Sequence, residues 1–190
     1  MIASFDEQLA FRPADALGIV VRPPPLVEFA RLFGARVIVI TSSEAKVEKL
    51  KALGATEVLN STITAAWEQV VLELTGGRGV EHVVEAVGPA TLEQSIKASG
   101  FDSQIALMGV FPSEAPDHSG FNPKVLSARL LTIRRIVVGS RAAFTAMNQA
   151  IALHQLHPVI DRSFSFSQAL EAYRYFDKAR PFGEVVISSE

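Results

Sequence analysis

The sequence predicts an α/β fold, a doubly wound parallel sheet followed by a C-terminal helix–strand appendage. Three observations carry this. From Arg36 onward, short β-branched runs alternate with helical patterns, the sequence form of a parallel sheet covered on both faces. Before Arg36 the order strand, turn, helix reads as the start of a βαβ unit that the next strand completes. The chain has 190 residues, 48% hydrophobic and 20% charged, which suits one ordinary folded domain with a substantial core.

Met1 to Ala16 carry no pattern and stay unassigned. Leu17 to Val21 reads as the first strand, Arg22 to Pro25 as a stiff connection, and Leu26 to Phe33 as a helix ending at Gly34. Arg36 to Thr41 is the second strand. In the helix after it, Val47, Leu50 and Leu53 line one face, lysines and Glu48 solvate the other, and Gly54 closes the end. Further strands are expected at Thr56 to Leu59, Glu81 to Val87, Gln104 to Gly109 and Thr132 to Val138. The helix Thr64 to Thr75 spaces Trp67, Val70, Val71 and Leu74 as a buried stripe, so the single Trp is assigned to the core. Thr75 to Gly79 is glycine-rich but precedes a strand rather than opening a helix, so it reads as a tight turn and not a phosphate cradle. Phe111 to Pro123, with three prolines, reads as a long surface loop. The final block is a helix from Ala142 to His154, a short strand near Val159, a helix from Ser167 to Lys178 and a closing strand from Gly183 to Ile187.

Composition narrows the chemistry. A net charge of −2 offers no electrostatic footprint for nucleic acid or an acidic membrane, and no apolar run spans a bilayer; the chain reads as cytoplasmic. With no cysteine there are no disulfides, thiolate zinc ligands or cysteine nucleophiles. His154, His157 and Asp161 have the residue types of a metal site, but a helix end and a residue before Pro158 favour solvated histidines. No Gly-x-Ser-x-Gly elbow is present, and neither Tyr173 nor Tyr175 is followed by lysine four residues on.

The run Leu32-Phe33-Gly34-Ala35-Arg36-Val37-Ile38-Val39-Ile40-Thr41-Ser42-Ser43, continuing through Lys46 to Gly54-Ala55, resembles the second strand and following helix of zinc-type, medium-chain alcohol dehydrogenases and quinone reductases. Thr75 to Val80, Glu85-Ala86-Val87-Gly88, Ile105 to Val110 and Val138-Gly139-Ser140-Arg141 extend the resemblance in family order, over about Leu26 to Ile187. It implies a Rossmann-like NAD(P)-binding domain over 17–141. It also implies that 142–190 is a segment that in relatives packs on the catalytic domain.

By the same resemblance, Thr41, Ser42 and Ser43 lie at the adenosine ribose, where enzymes strict for NAD carry an acidic residue. Hydroxyls with Lys46 nearby suit a 2′-phosphate, so NADP is expected over NAD. Ser42 and Ser43 also suit a plain helix cap. Val87, Gly88, Gly109 and Val110 are expected beside the cofactor. Gly139, Ser140 and Arg141 are expected at the nicotinamide, and strand 131–138 at a homodimer axis.

This sequence departs from the family at three points. Ile19 to Pro25 replaces the glycine-rich loop, and Pro23, Pro24 and Pro25 have no N–H to give a pyrophosphate. Glu184 stands where relatives commonly have lysine. The resemblance stops before Leu26, which reads as truncation or a shifted reading frame, and the catalytic domain with its zinc is expected to be missing. The chain is thus expected to contain no zinc and no catalytic residue. Two functions follow from this: a cofactor-binding half that transfers hydride only if a catalytic domain is supplied, or a degenerate, non-catalytic interaction module.

Overall fold

In the computed structural model, residues 17–20, 24–108, 124–127 and 130–189 are described. The unassigned 1–16, Val21 at the end of the expected first strand, Arg22 and Pro23 of the connection and the 111–123 loop fall outside them, as do Gly109 and Val110.

Six strands form one sheet: β1 (Leu17–Val20), β2 (Arg36–Thr41), β3 (Glu57–Asn60), β4 (Val80–Glu85), β5 (Ser99–Leu107) and β6 (Leu131–Arg135). Their order is β3-β2-β1-β4-β5-β6, and every pairing is parallel. This is the doubly wound arrangement, in which the chain builds outward from β1 in one direction and then from β4 in the other. Consecutive parallel strands need crossovers, supplied by α1 (Pro24–Leu32), α2 (Val47–Ala52), α3 (Trp67–Leu74), α4 (Pro89–Ala98) and the short α5 (Lys124–Ser127).

The two faces of the sheet carry two cores, and β2 shows why. Successive side chains on a strand point to opposite faces. Ile38 and Ile40 join Trp67 and Val71 of α3, Val83 of β4, Ile96 of α4 and Ile105 of β5. Val37 and Val39 join Val27 of α1, Leu50 of α2 and Ala55. A strand buried on both sides cannot alternate with polar residues, which explains its unbroken apolar run from Val37 to Ile40.

The glycine-rich turn after α3 is a turn, as its position predicts. Thr75 Oγ1 donates back to the Val71 carbonyl and accepts from Gly79 N–H. A Cβ on Gly79 would lie 2.6 Å from the Ser99 and Gly100 backbone, so the entry to β4 requires glycine there.

Helix α4 was not expected from the pattern. Its buried positions hold Ser95, Ile96 and Ala98, and small or hydroxylic residues there leave a weak hydrophobic period. For the same reason β5 begins at Ser99 rather than Gln104. Strand β6 ends at Arg135, short of Val138.

The C-terminal block contains α6 (Arg141–Leu153), β7 (Ile160–Ser165), α7 (Ala169–Ala179) and β8 (Glu184–Ser188), with β7 and β8 forming a separate parallel pair. Phe182, just before β8, enters the core between α1, β2 and α2, with Lys49 over its ring. Asp161 accepts from Tyr175 Oη at 2.5 Å and from Phe182 N–H at 3.1 Å. The bond from Tyr175 holds the Asp161 carboxyl below the usual carboxylate range. Asp161 therefore ties β7 to α7 and to the Phe182 anchor. Elsewhere the block is thinly covered. Ala143 is the one buried residue of α6, and Phe166, Leu170, Tyr173 and Phe176 are all more than 60% exposed, whereas Phe164 and Phe182 are buried.

His82 lies in β4, in register with Gly18 and Gln104, and its burial lowers its pKa. A histidine with a folded pKa below its unfolded value stabilises fully above about pH 6.5 and loses that contribution as pH falls through the folded value. Thermal melts should therefore show stability dropping as pH falls below about 6.5, with a shallower drop in His82→Gln. Equal slopes in both proteins would show that His82 is not the titrating group.

Candidate functional site at the carboxyl edge

Because all six strands are parallel, their carboxyl ends share one edge, and the order reverses between β1 and β4. In doubly wound sheets a crevice forms at such a reversal, where the crossovers on its two sides diverge.

Thr41 ends β2. Its carbonyl accepts from Ser61 N–H at 2.8 Å, and its Oγ1 accepts from Ser43 N–H at 3.2 Å. Ser43 stands at the start of a short 3-10 turn, Glu44–Lys46, but its hydroxyl makes no capping bond; Ser42 is exposed. The capping role that the sequence allowed these serines is therefore not what the Ser43 hydroxyl does. Lys46 donates from Nζ to the Pro181 carbonyl at 3.0 Å, which joins this end of β2 to the Phe182 anchor. Glu44, one residue beyond the serines, accepts from Asn60 Nδ2 at 2.8 Å.

At the end of β4, Glu85 has no exposed surface. Its Oε1 accepts from Val87 N–H at 2.8 Å, Gly88 N–H at 2.9 Å and Thr91 Oγ1 at 2.8 Å, while Oε2 accepts from Ser95 Oγ at 2.5 Å. Gly88 has φ +105° and ψ −138°, a conformation that L side chains rarely adopt, and it starts α4 with Pro89 behind it. The resemblance put Val87 and Gly88 beside a cofactor; Glu85, Thr91 and Ser95, which hold this turn, were not among the expected site residues. The available signal was an acidic residue closing an apolar strand just before a glycine.

Beyond β6, Gly139, Ser140 and Arg141 are exposed. Ser140 caps α6, accepting Ala143 N–H on Oγ at 3.2 Å. The two groups of predicted residues on β2 and β4 thus follow adjacent carboxyl ends on either side of β1, and the third group follows the outermost strand.

At the start of α1, the helix that follows β1, Pro24 and Pro25 occupy the first positions. Proline is tolerated there because those N–H groups have no intrahelical partner, but it also deletes the donors that a helix start offers an anion. Among the described residues no group of three His, Asp or Glu is arranged to hold a metal ion, and no described helix is long and apolar enough to cross a membrane.

Known proteins share this arrangement. The family model described as zinc-binding dehydrogenase matches residues 26–153. A zinc-type alcohol dehydrogenase-like protein of Schizosaccharomyces pombe is 38% identical over 163 residues, 85% of this chain and 47% of that protein. A 2-haloacrylate reductase of a Burkholderia species is 27% identical over 173 residues, 85% of this chain and 50% of its own. The chain thus spans about half the length of these curated relatives. The crystal structure of an NAD-dependent alcohol dehydrogenase superposes with a TM-score of 0.80 at 30% identity, over 97% of this chain and 54% of that one.

The Ser140 bond assigns that hydroxyl to helix capping. Ser140→Ala should cost about 1 kcal/mol of stability and leave nucleotide affinity within about twofold, since under 0.5 kcal/mol is at stake. Urea denaturation and calorimetric titration check the two halves; a tenfold loss of affinity at unchanged stability would assign the hydroxyl to ligand instead.

Proposed function

The chain belongs to the zinc-binding dehydrogenase family, and we propose that it is the nucleotide-binding half of an NAD(P)-dependent oxidoreductase. The observation that carries this is the reversal of strand order between β1 and β4, with hydroxyls following β2 and a glycine following β4. Pyridine nucleotide would cross the carboxyl edge there. Its adenosine ribose would lie at Thr41, Ser42 and Ser43, with Lys46 for a 2′-phosphate. Its nicotinamide half would lie toward Val87, Gly88, Gly109, Val110 and the Gly139–Arg141 segment.

These residues fit the two ends of the cofactor better than its middle. The hydroxyl groups and the small Gly88 suit riboses, and the lack of an acidic residue at Thr41 to Ser43 favours NADP. Glu44 turns to Asn60, which keeps its carboxylate engaged away from a ribose. The prolines at the start of α1 do not suit a pyrophosphate. Hydrogen bonds to a charged group are worth about 1.5–3 kcal/mol each, so two missing donors cost about two to four orders of magnitude in affinity.

The bound nucleotide would supply or accept the hydride, on an alcohol, aldehyde, ketone or quinone. The chain's own part is to bind and orient it. No acid, base or metal ligand for the reaction stands out among the described residues, and the donor set does not fit a zinc ion, so hydride transfer would require a catalytic domain. The uncovered faces of α6 and α7 support a reading in which such a domain packs there. The prolines favour a second reading, a non-catalytic Rossmann domain that serves as an interaction module.

Calorimetry should give dissociation constants weaker than about 1 μM for both cofactors, with NADPH ahead of NADH, and a Gly-rich turn in place of residues 22–25 should tighten both. Submicromolar binding by the unaltered chain, or no gain from the glycines, contradicts this reading of the loop.

Association through strand 131–138 is a further part of the proposal. β6 is the sheet edge, and Thr132, Ile133, Arg134 and Arg135 are exposed along it. Pairing across a two-fold axis would satisfy its open backbone groups, with Arg134 and Arg135 opposing by like charge. Light scattering at high protein concentration should show a dimer that strengthens with added salt; a monomer at every concentration contradicts it.

A further inference from the structure

Glu85 is the one fully buried carboxyl among the described residues, and neither the fold nor the nucleotide reading has yet given it a purpose. An acidic side chain is rarely buried unless its oxygens are satisfied, and here four donors converge on two oxygens. All four come from one stretch of chain, the turn Val87–Gly88 and the first two turns of α4. The carboxyl therefore does not join distant elements; it shapes this turn.

The consequence is read from the amides. Val87 and Gly88 N–H are taken by Glu85, Thr91 and Leu92 N–H by the Gly88 carbonyl at 3.1 and 3.0 Å, and Pro89 has none. A helix start following a strand at this edge would ordinarily turn its amides toward an anion. Here the amides of Val87 and Gly88, those nearest the end of β4, are taken by the buried Glu85 carboxyl, so the turn itself has no amide to turn toward an anion. The turn offers only the exposed Val87 side chain and the glycine backbone, surfaces that fit an uncharged, flat or sugar-like group.

We propose that Glu85 is a positioning residue of the nucleotide site. By holding Val87 and Gly88 and occupying their amides, it withholds those two donors from phosphate and makes the β4 end of the crevice a seat for the nicotinamide–ribose half of the cofactor. This rests on the nucleotide reading above, in which the adenosine half lies at the β2 end. Thr91 and Ser95 act through Glu85 and hold its two oxygens from α4.

The test compares the whole cofactor with its adenosine half. Wild type, Glu85→Gln and Thr91→Val are titrated with NADPH and with 2′,5′-ADP, and amide exchange is followed at Val87 and Gly88. Glu85→Gln should weaken NADPH by about tenfold, as expected when charge-assisted bonds to a positioning group are lost, and leave 2′,5′-ADP within about twofold. Thr91→Val should shift NADPH in the same direction by less. Exchange at Val87 and Gly88 should quicken in both variants. Parallel loss of both ligands would show a general structural role, and unchanged NADPH binding would show no role; either overturns the proposal. If Glu85→Gln does not fold, Thr91→Val decides by the same split. A wild-type chain that binds neither ligand overturns the nucleotide reading itself, and this proposal with it; a wild type that binds while the variants show no split overturns the positioning role alone.

Discussion

Pairing of β1 with β2 on one side and β4 on the other, all three parallel, is the constraint from which the rest follows. Parallel neighbours force a crossover between each pair, and right-handed crossovers leaving β1 and β4 must travel in opposite directions. That separates the helices into two layers and divides the core in two. In such sheets the crevice at the carboxyl ends lies where the strand order reverses. Placement of the site is thus a result of topology, and the residues that line it are simply those that follow the strands.

Two cores meet in β2, which gives alternate side chains to each. The α1–α2 side is completed by Phe182 from the C-terminal block, so that block is attached at a definite point. Lys46 on the Pro181 carbonyl and Asp161 on Phe182 N–H secure the same point from either side. Through Lys46 the anchor touches the segment proposed for the adenosine ribose. The ammonium group has three donors, so a 2′-phosphate there would share it with the Pro181 carbonyl. Beyond the anchor, α6 and α7 contribute little to either core, and their exposed aromatic and aliphatic side chains are the part of the surface least suited to water.

How much of this was legible in the sequence varies with the length scale of the cause. Strand β2 was placed to the residue, because a strand buried on both faces must be continuously apolar. Helix α4 escaped notice because its inward positions hold Ser95 and Ala98, which pack closely but carry no hydrophobic signal. The resemblance put the hydroxyls after β2 and the glycine after β4, and both do follow the ends of those strands; their part in holding a cofactor stays a proposal. Glu85 was quoted only as part of a matching stretch; its role depends on hydroxyls six and ten residues later, on a helix that the pattern did not reveal. The bond from Lys46 to Pro181 spans 135 residues and no local pattern encodes it. Gly109 and Val110 lie outside the described residues, so their expected place beside the cofactor stays a proposal.

The central claim is that a pyridine nucleotide lies across the carboxyl edge, from the end of β2 to the end of β4. Amide chemical-shift mapping during an NADPH titration tests it most directly. The largest shifts are predicted at Thr41 to Lys46 and at Val87 and Gly88, with the exposed face of α7 unmoved; shifts confined to α7, or absent from both strand ends at saturating NADPH, would contradict it.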